Sequence, residues 1–387
     1  LDADDAGRAG AAKIQQHLGI RTKIVELPVP DGEESTDISE YFQRDGHTTE
    51  DFDALIESFR GRRLFTIGDA MAERDIMLTA SGMALGWKAL DHWIHPGILP
   101  GQVMVVLAKT GVGKTAWLTQ VLHNLSEHYT YDGHYKDKSG EIDEHHRPGG
   151  PAEPVLVLSL EQTKGELVDR MQKIARFYDP RLPDELFRQA YRNVRLNDEN
   201  KIPPADMRPL VAEFIEDVEM PPKLIVLDYL GYWARSFKGK SRYEQVSDAI
   251  MELKSIAKEY GVSIVVPHQV SRSGRKGERL ELDFARDSGV VEETADFALA
   301  LYAPHTKEDR EDATTSIDSR SDVRLEILKS RHGGVGREQR MSWAPASLAL
   351  PETGDPYIRR LIEFEYQWMD EGLLYTDILA KLKGTKI

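Results

Sequence analysis

Residues 102–116 read Gln102-Val103-Met104-Val105-Val106-Leu107-Ala108-Lys109-Thr110-Gly111-Val112-Gly113-Lys114-Thr115-Ala116. The apolar run at 102–107 has the length and composition of a buried strand. Small residues follow, with Gly111 and then Gly113-Lys114-Thr115, and a helical pattern runs over 115–129. A strand, a glycine-bearing turn and a helix in that order build a phosphate cradle. Small side chains let backbone N–H groups curl around phosphate oxygens, and the helix N-terminus adds its dipole. On this reading Thr110, Gly111, Val112, Gly113, Lys114, Thr115 and Ala116 line a bound nucleotide. Lys114 reaches the β- and γ-phosphates, and the Thr115 hydroxyl takes Mg2+. The strict pattern has glycine in its first place, where this chain has Ala108.

Downstream of this loop, short apolar runs alternate with longer helical stretches. Strands are predicted at 102–107, 155–160, 224–228, 263–267, 297–302 and 324–329, and helices at 115–129, 164–177, 205–218 and 243–260. The alternation predicts an α/β fold, a parallel sheet with helices on both faces. Residues 131–154 are rich in His, Gly, Pro and charge and read as a surface insertion without a core-forming period. Residues 306–322 read as a second solvated loop. Ahead of the phosphate loop, 1–60 reads as a small α/β segment with a helix at 9–18 and a strand at 23–27. Residues 61–90 read as a linker with a helix near 67–75. Residues 91–350 form the main domain and 351–387 a helical tail. The amphipathic stretch at 366–382 is either a packing helix or a partner site, with packing preferred.

Hydrolysis of a nucleotide needs an acid to support the metal and a group to orient the attacking water. Leu224-Ile225-Val226-Leu227-Asp228 is an apolar strand that ends in an acid, which suits the Mg2+ role. The strand at 155–160 runs into Glu161, which suits water activation. Ligands gather at the carboxyl ends of parallel strands, so both acids are expected to face the phosphate loop. The strand at 262–267 ends in His268-Gln269, and the uncharged amide of Gln269 suits sensing of a γ-phosphate by hydrogen bonding. A fourth strand ends Leu328-Lys329-Ser330-Arg331-His332-Gly333-Gly334. Lys329 and Arg331, separated by one residue, share a direction and suit stabilisation of γ-phosphate charge in a neighbouring subunit. An exposed basic strand end is the alternative.

The 387 residues carry a formal net charge of −15, which argues against a general nucleic-acid coat protein. Two basic loops stand out against that background. Arg235-Ser236-Phe237-Lys238-Gly239-Lys240-Ser241-Arg242 follows the Asp228 strand, and Ser271-Arg272-Ser273-Gly274-Arg275-Lys276-Gly277-Glu278-Arg279 follows the Gln269 strand. Arg235, Lys238, Lys240, Arg242, Arg272, Arg275, Lys276 and Arg279 are candidates to grip DNA phosphates, and Phe237 is a candidate to stack on a base. Solvated surface is the competing reading. The attachment of both loops to nucleotide-site strands favours DNA. Cysteine is absent, which removes disulfides and Cys-based zinc sites. No apolar run has the roughly 18–20 residues of a membrane span, and the first residues are not those of a secretory signal. The chain begins at Leu1, in what reads as the middle of a domain, so a longer parent protein is expected.

Taken together, these motifs resemble the DnaB-like replicative helicases, including the helicase half of phage T7-type primase–helicases and the Twinkle helicase. The resemblance covers roughly residues 86–340. It rests on Gly86-Trp87-Lys88-Ala89-Leu90-Asp91 with Gly97-Ile98-Leu99-Pro100-Gly101, and on the phosphate loop, where that family also commonly has alanine first. It rests further on Leu158-Ser159-Leu160-Glu161-Gln162 with Leu167-Val168-Asp169-Arg170-Met171, on Leu227-Asp228-Tyr229-Leu230 and on His268-Gln269-Val270-Ser271-Arg272. The last two stretches are Arg286 to Asp296 and Lys329-Ser330-Arg331-His332-Gly333-Gly334. The resemblance implies a RecA-like ATPase core, ATP and Mg2+ as cofactors, and a homo-oligomeric ring, expected to be hexameric. It also implies 5′→3′ travel on single-stranded DNA, Lys329 and Arg331 acting across the subunit interface, and a cytoplasmic setting in a bacterial or phage-infected cell. The first residues, Leu1-Asp2-Ala3-Asp4-Asp5-Ala6-Gly7-Arg8-Ala9-Gly10, resemble the Asp-x-Asp end of a TOPRIM primase domain. The upstream glutamate of that domain is absent, so a working site at Asp2 and Asp4 is not expected, and an acidic stretch ahead of a helix is the alternative. The TOPRIM resemblance implies a primase half in the parent protein. Two rivals remain at this point. One is a RecA- or RadA-like recombinase or regulatory ATPase without unwinding, and the other is a DNA-binding or assembly platform.

Overall fold

The computed structural model describes residues 25, 27–29, 35–43, 46–60, 67–68, 71, 82–136, 142–149, 152–237, 241–270, 289–305, 312 and 314–384. Two short helices precede the main body, α1 (Ile38–Gln43) and α2 (Thr49–Arg60). The Tyr41 side chain is buried there against Phe42, His47 and Phe52. Helix α3 (Lys88–Trp93) leads into β1 (Val103–Ala108), the phosphate loop and α4 (Lys114–Asn124). A hairpin of β2 (His128–Lys136) and β3 (Ile142–Gly149) follows, then β4 (Val155–Ser159), α5 (Lys164–Tyr178), α6 (Asp184–Ala190) and β5 (Val194–Asn197). Next come α7 (Met207–Val218), β6 (Leu224–Asp228), α8 (Leu230–Trp233), α9 (Arg242–Tyr260) and β7 (Ser263–Gln269). The chain continues through α10 (Gly289–Thr294), β8 (Phe297–Tyr302), α11 (Ile317–Ser321), β9 (Asp322–Ser330) and β10 (Glu338–Ser342). It closes with α12 (Pro356–Asp370) and α13 (Tyr375–Gly384).

The main sheet has eight strands in the order β10-β9-β8-β1-β7-β6-β4-β5. Six of them, β8 through β5, run parallel, whereas β9 lies antiparallel to β8 and β10 antiparallel to β9. The expected parallel sheet is present in β8 through β5, and β9 and β10 extend it with antiparallel strands at one edge. The central strands are buried on both faces, as a helix-covered parallel sheet requires. Met104, Val106 and Ala108 face a layer that holds Trp87, Trp117 and Leu122, while Val103, Val105 and Leu107 face Val246, Ile250 and Leu253 of α9. Each such aliphatic side chain contributes about 1.5–3 kcal/mol when fully buried.

The lead-in segment has a local reason for its residues. Asp91 accepts from the amides of Leu85 and Gly86 at 2.7 and 2.8 Å. Gly86 has φ 92°, and a Cβ there would come 2.4 Å from Asn124, whose amide already donates to the Leu85 carbonyl. Only glycine fits between that turn and α4. Trp87 stacks on Trp117 at 5.8 Å and donates to the Leu350 carbonyl. The residues before the phosphate loop are thereby tied to the far end of the domain.

Several expectations change. Two edge strands, β5 and β10, carry no strand signal in the sequence, because Val-Arg-Leu-Asn and Glu-Gln-Arg-Met-Ser are polar on their open sides. In β10 only Gln339 and Met341 are buried. The helix expected over 115–129 stops at Asn124. Within the expected insertion at 131–154, the chain forms an antiparallel hairpin. The expected solvated loop at 306–322 includes α11, where Arg320 is buried. It pairs with both oxygens of Asp370 and lies 4.4 Å over the Tyr366 ring. The amphipathic tail packs inward: Leu361, Ile362, Tyr366, Ile378 and Leu382 form a cluster with Ile174 and Phe177 of α5. The helix at 9–18 and most of the strand at 23–27 and of the helix near 67–75 lie outside the described residues.

Candidate active site

The phosphate loop leaves β1 at Ala108 and turns through Thr110 and Gly111 into α4. Gly111 and Gly113 have φ 81° and 105°, a left-handed region that favours glycine. No atom lies within 4 Å of a Cβ built on Gly111, so the space over the turn is open. No side chain caps α4, whose N-cap is Gly113. The first amides of the helix, at Lys114, Thr115 and Ala116, therefore have no intrahelical acceptor and face the loop. Val112 packs against the core and anchors the turn from below.

The expected acids converge on this loop. Thr115 Oγ1 donates to Asp228 Oδ2 at 3.0 Å across the tip of the sheet. Asp228 ends β6, in register with Ser159 on β4, and the Leu160 amide donates to the Asp228 carbonyl. Glu161 is the next residue, exposed at the same edge. Burial pushes the Asp228 carboxyl up to about 6. The Thr115 hydroxyl, Lys114 and Arg170 act against that shift, while the charge of Glu161 adds to it. Burial also lowers the Lys114 ammonium, whose charge is favoured in turn by Asp228 and Glu161. Its Nζ donates to the Lys109 carbonyl at 3.4 Å. A buried carboxylate that shares a hydroxyl with the loop and is held above its ordinary range fits a divalent cation, since a cation would restore its charged form. Thr115 and Asp228 are the residues that would hold Mg2+, which when bound supplies neutralising charge to phosphate oxygens.

Gln269, at the tip of β7, sits beside Ala108 in the sheet register, and its amide donates to Thr110 Oγ1 at 2.7 Å. His268 before it is buried and depressed to about 4 by burial and by the charges of Arg242 and Lys114, so it is neutral at neutral pH.

The two remaining cations are elsewhere. Because β9 runs antiparallel, it ends at the edge opposite the phosphate loop. Lys329 pairs with Ala298 and Ser330 with Phe297, at the start of β8. In β1 the corresponding levels run from Met104 to Ala108, roughly 13 Å at about 3.3 Å per residue. Lys329 Nζ donates to the Glu293 carbonyl at 3.2 Å, and Arg331 pairs with Asp296 at 2.8 Å.

Among the candidate DNA ligands, Arg235 is exposed and lies 5.1 Å over the Tyr232 ring. Arg242 donates to the Gly231 carbonyl, turned onto α8 from the first turn of α9. Lys238, Lys240, Arg272, Arg275, Lys276 and Arg279 lie outside the described residues, as do Asp2 and Asp4. Phe237, the candidate base-stacking residue, is half-buried, packing edge-on against Trp233 at 5.2 Å and against the core layer. Sequence reasoning misses two residues at the site. Arg170 on α5 faces the acids electrostatically, and the Trp343 ring borders the loop, 3.6 Å from a Cβ built on Gly113. Neither has a local signature: one is a helical arginine, the other an aromatic after an edge strand.

Sheet, loop and converging acids define a RecA-like phosphate-loop ATPase core. Residues 82–347 match the family of the DnaB-like helicase C-terminal domain, and the chain belongs to that family. Among similar proteins, the replicative DNA helicase DnaB of Mycoplasma pneumoniae is 27% identical over 282 residues, 68% of this chain and 55% of that protein. DnaB of Helicobacter pylori is 24% identical over 340 residues, 85% of this chain and 67% of that protein. The chain spans about half the length of several of the curated relatives it matches. Two solved structures share the fold. One is an isolated ATPase domain with a TM-score of 0.54 and 20% identity, covering 75% of this chain and 99% of that one. The other, a DnaB-like replicative helicase described with its interactions with primase, has a TM-score of 0.53 and 18% identity, covering 82% and 78%. Among the described residues no helix is long and apolar enough to cross a membrane.

Proposed function

We propose that this chain is the ATP-driven motor of a replicative DNA helicase that works as a homo-oligomeric ring and separates duplex DNA. The observation that carries the reading is the opposition of two edges. The phosphate loop, Glu161, Asp228 and Gln269 share one edge of the sheet, while Lys329 and Arg331 stand at the other. A subunit's own Arg331 does not reach its own phosphates, so a finger role requires a neighbour, and ATP would lie between subunits.

Within one subunit, Lys114 and the first amides of α4 bind the β- and γ-phosphates of ATP. Thr115 and Asp228 orient the metal-binding side, and Glu161 takes a proton from the water that attacks the γ-phosphate. Arg331 and Lys329 of the next subunit stabilise the charge that develops there. An arginine finger in other phosphate-loop enzymes is worth about 10³–10⁵ in rate. Gln269 carries the state of the loop to β7 and the basic segment after it, which grips single-stranded DNA together with the loop around Arg235. The family argues for six subunits in a cytoplasmic setting. The TOPRIM-like start and the relative described with primase argue for a primase half or partner.

The test is unwinding of a forked DNA duplex with ATP and Mg2+, with Lys114→Ala as control. Strand separation that requires Lys114 supports the motor reading. ATPase activity stimulated by single-stranded DNA without strand separation, in assembled rings, would overturn it in favour of a recombinase-like or regulatory ATPase.

A further inference from the structure

Asp296, immediately before β8, is 1% exposed. Its Oδ2 accepts from the Val103 amide at 2.8 Å and from the Lys254 ammonium of α9. Its Oδ1 pairs with Arg331 Nε at 2.8 Å. The guanidinium nitrogen of Arg331 nearest its stem therefore faces Asp296 as an ion pair, without a hydrogen bond among the described residues, and 56% of its side chain is exposed. Among the described residues, no hydrogen bond engages its two terminal amino groups.

We infer that Asp296 is a positioning residue for Arg331: it anchors the guanidinium through Nε so that the outer amino groups project toward a phosphate held by a neighbouring subunit. This rests on the reading of Arg331 as a finger acting in trans. Three features of the chain support the anchoring itself. A guanidinium is a rigid planar fork, so pairing its Nε side with a buried carboxylate leaves its terminal amino groups turned away from that carboxylate. Lys254 brings a second positive charge to the same carboxylate, so Asp296 does not neutralise Arg331 alone, and the finger keeps its net charge. The turn after Arg331 is also pinned. His332 lies against the Phe297 ring at 5.4 Å and contacts Gln102, and Gly334 fits where a Cβ would come 2.9 Å from the Trp93 carbonyl. A finger whose root is immobile loses less freedom when phosphate arrives. Lys254 belongs to α9, which starts directly after the basic loop that follows β6, so the anchor also connects the finger to the helix leading from that loop.

The experiment uses assembled rings of the protein carrying Asp296→Asn. Asparagine can still accept from the Val103 amide but no longer offers a charged oxygen to Arg331. The expected kcat for ATP falls between about tenfold and a hundredfold, with KM within about threefold, since misplacement by about 1 Å costs up to about 10²-fold. Retention of ADP with aluminium fluoride falls in parallel, while ADP affinity is unchanged. Mixing Asp296→Asn subunits with Lys114→Ala subunits restores activity, because intact fingers of the second kind serve intact phosphate loops of the first. Failure to restore, while Arg331→Ala and Lys114→Ala subunits do complement each other, overturns the positioning role of Asp296. Failure of that second pair instead overturns the trans reading itself. A second variant, Arg331→Lys, guards against misfolding of Asp296→Asn. Its single ammonium cannot pair with Asp296 and also reach out, so kcat as low as for Arg331→Ala is expected, and near-normal kcat overturns the inference.

Discussion

The amide of Gln269 donates to the hydroxyl of Thr110 at 2.7 Å, joining the tip of β7 to the turn of the phosphate loop. The two residues are far apart in the chain, yet Gln269 pairs with Ala108 across parallel strands, so a shift of the loop reaches β7 within one side chain. Gln269→Ala is expected to weaken ATP binding by less than about tenfold, the scale of one such bond. Stimulation of ATP hydrolysis by single-stranded DNA should be largely abolished. Steady-state ATPase measurements with and without DNA decide this, and undiminished stimulation would remove Gln269 from the coupling.

The Asp228 carboxyl, held at about 6 by burial, leads to a pH dependence with a definite sign. Metal-bound nucleotide requires the ionised form, so affinity is full above the shifted value and is lost as pH falls through it. From pH 7.5 to 5.5 the ionised fraction drops about fourfold for a group titrating near 6. Titration of Mg2+-ADP at the two pH values should reproduce that loss beyond the change seen in Asp228→Asn, which cannot ionise. An equal change in the two proteins would count against Asp228 as the metal acid.

Glu161 is exposed, two residues beyond the Ser159 that pairs with Asp228, and its charge acts on both Asp228 and Lys114. Glu161→Gln keeps the shape and removes the basic oxygen. Nucleotide affinity should stay within about threefold, while single-turnover hydrolysis falls by about 10²–10⁴, the range of a general base. Rapid-quench measurements on rings loaded with ATP would decide it, and a loss under tenfold would assign the base elsewhere.

Glu365 is fully buried in the C-terminal cluster, where its carboxylate accepts from the amides of Ala346 and Ser347 at 3.0 and 3.3 Å. Burial raises it to about 7 from an ordinary 4.5. The folded chain holds this proton more tightly than the unfolded chain, so stability declines as pH rises from about 4.5 to 7. The decline is on the order of 3 kcal/mol at 1.36 kcal/mol per unit. Glu365 Oε1 and the Tyr375 hydroxyl are buried without a hydrogen-bond partner, and an amide at 365 can serve such groups. Glu365→Gln should therefore raise Tm at pH 8 and leave it nearly unchanged at pH 5. A fall in Tm at pH 8 would show that the carboxylate itself is required.

Much of this site is legible in local sequence because its chemistry depends on short-range geometry. Gly111, Gly113, Lys114 and Thr115 lie within one turn, and the proposed phosphate cradle is made by the backbone of that turn. Asp228, Glu161 and Gln269 are readable because each follows an apolar strand, and parallel strands deliver their ends to one edge. Arg170 and Trp343 are not readable, since their roles depend on which helix face or edge strand packs near the loop. Phe237 depends on the fold in the same way: the sequence puts an aromatic in a basic loop, and only the fold sets Trp233 beside it.

The residue order alone determined the phosphate loop, the alternation of strand and helix, and the acids that cap the strands, since each is set by neighbours a few positions away. Only the tertiary structure decided the direction of β9. A strand pairs either way according to the connection that precedes it, and no residue within β9 encodes that choice. The antiparallel pairing carries Lys329 and Arg331 to the edge away from the phosphate loop and brings Arg331 to Asp296. It separates these two cations from the phosphate loop of their own subunit and leaves Arg331 exposed.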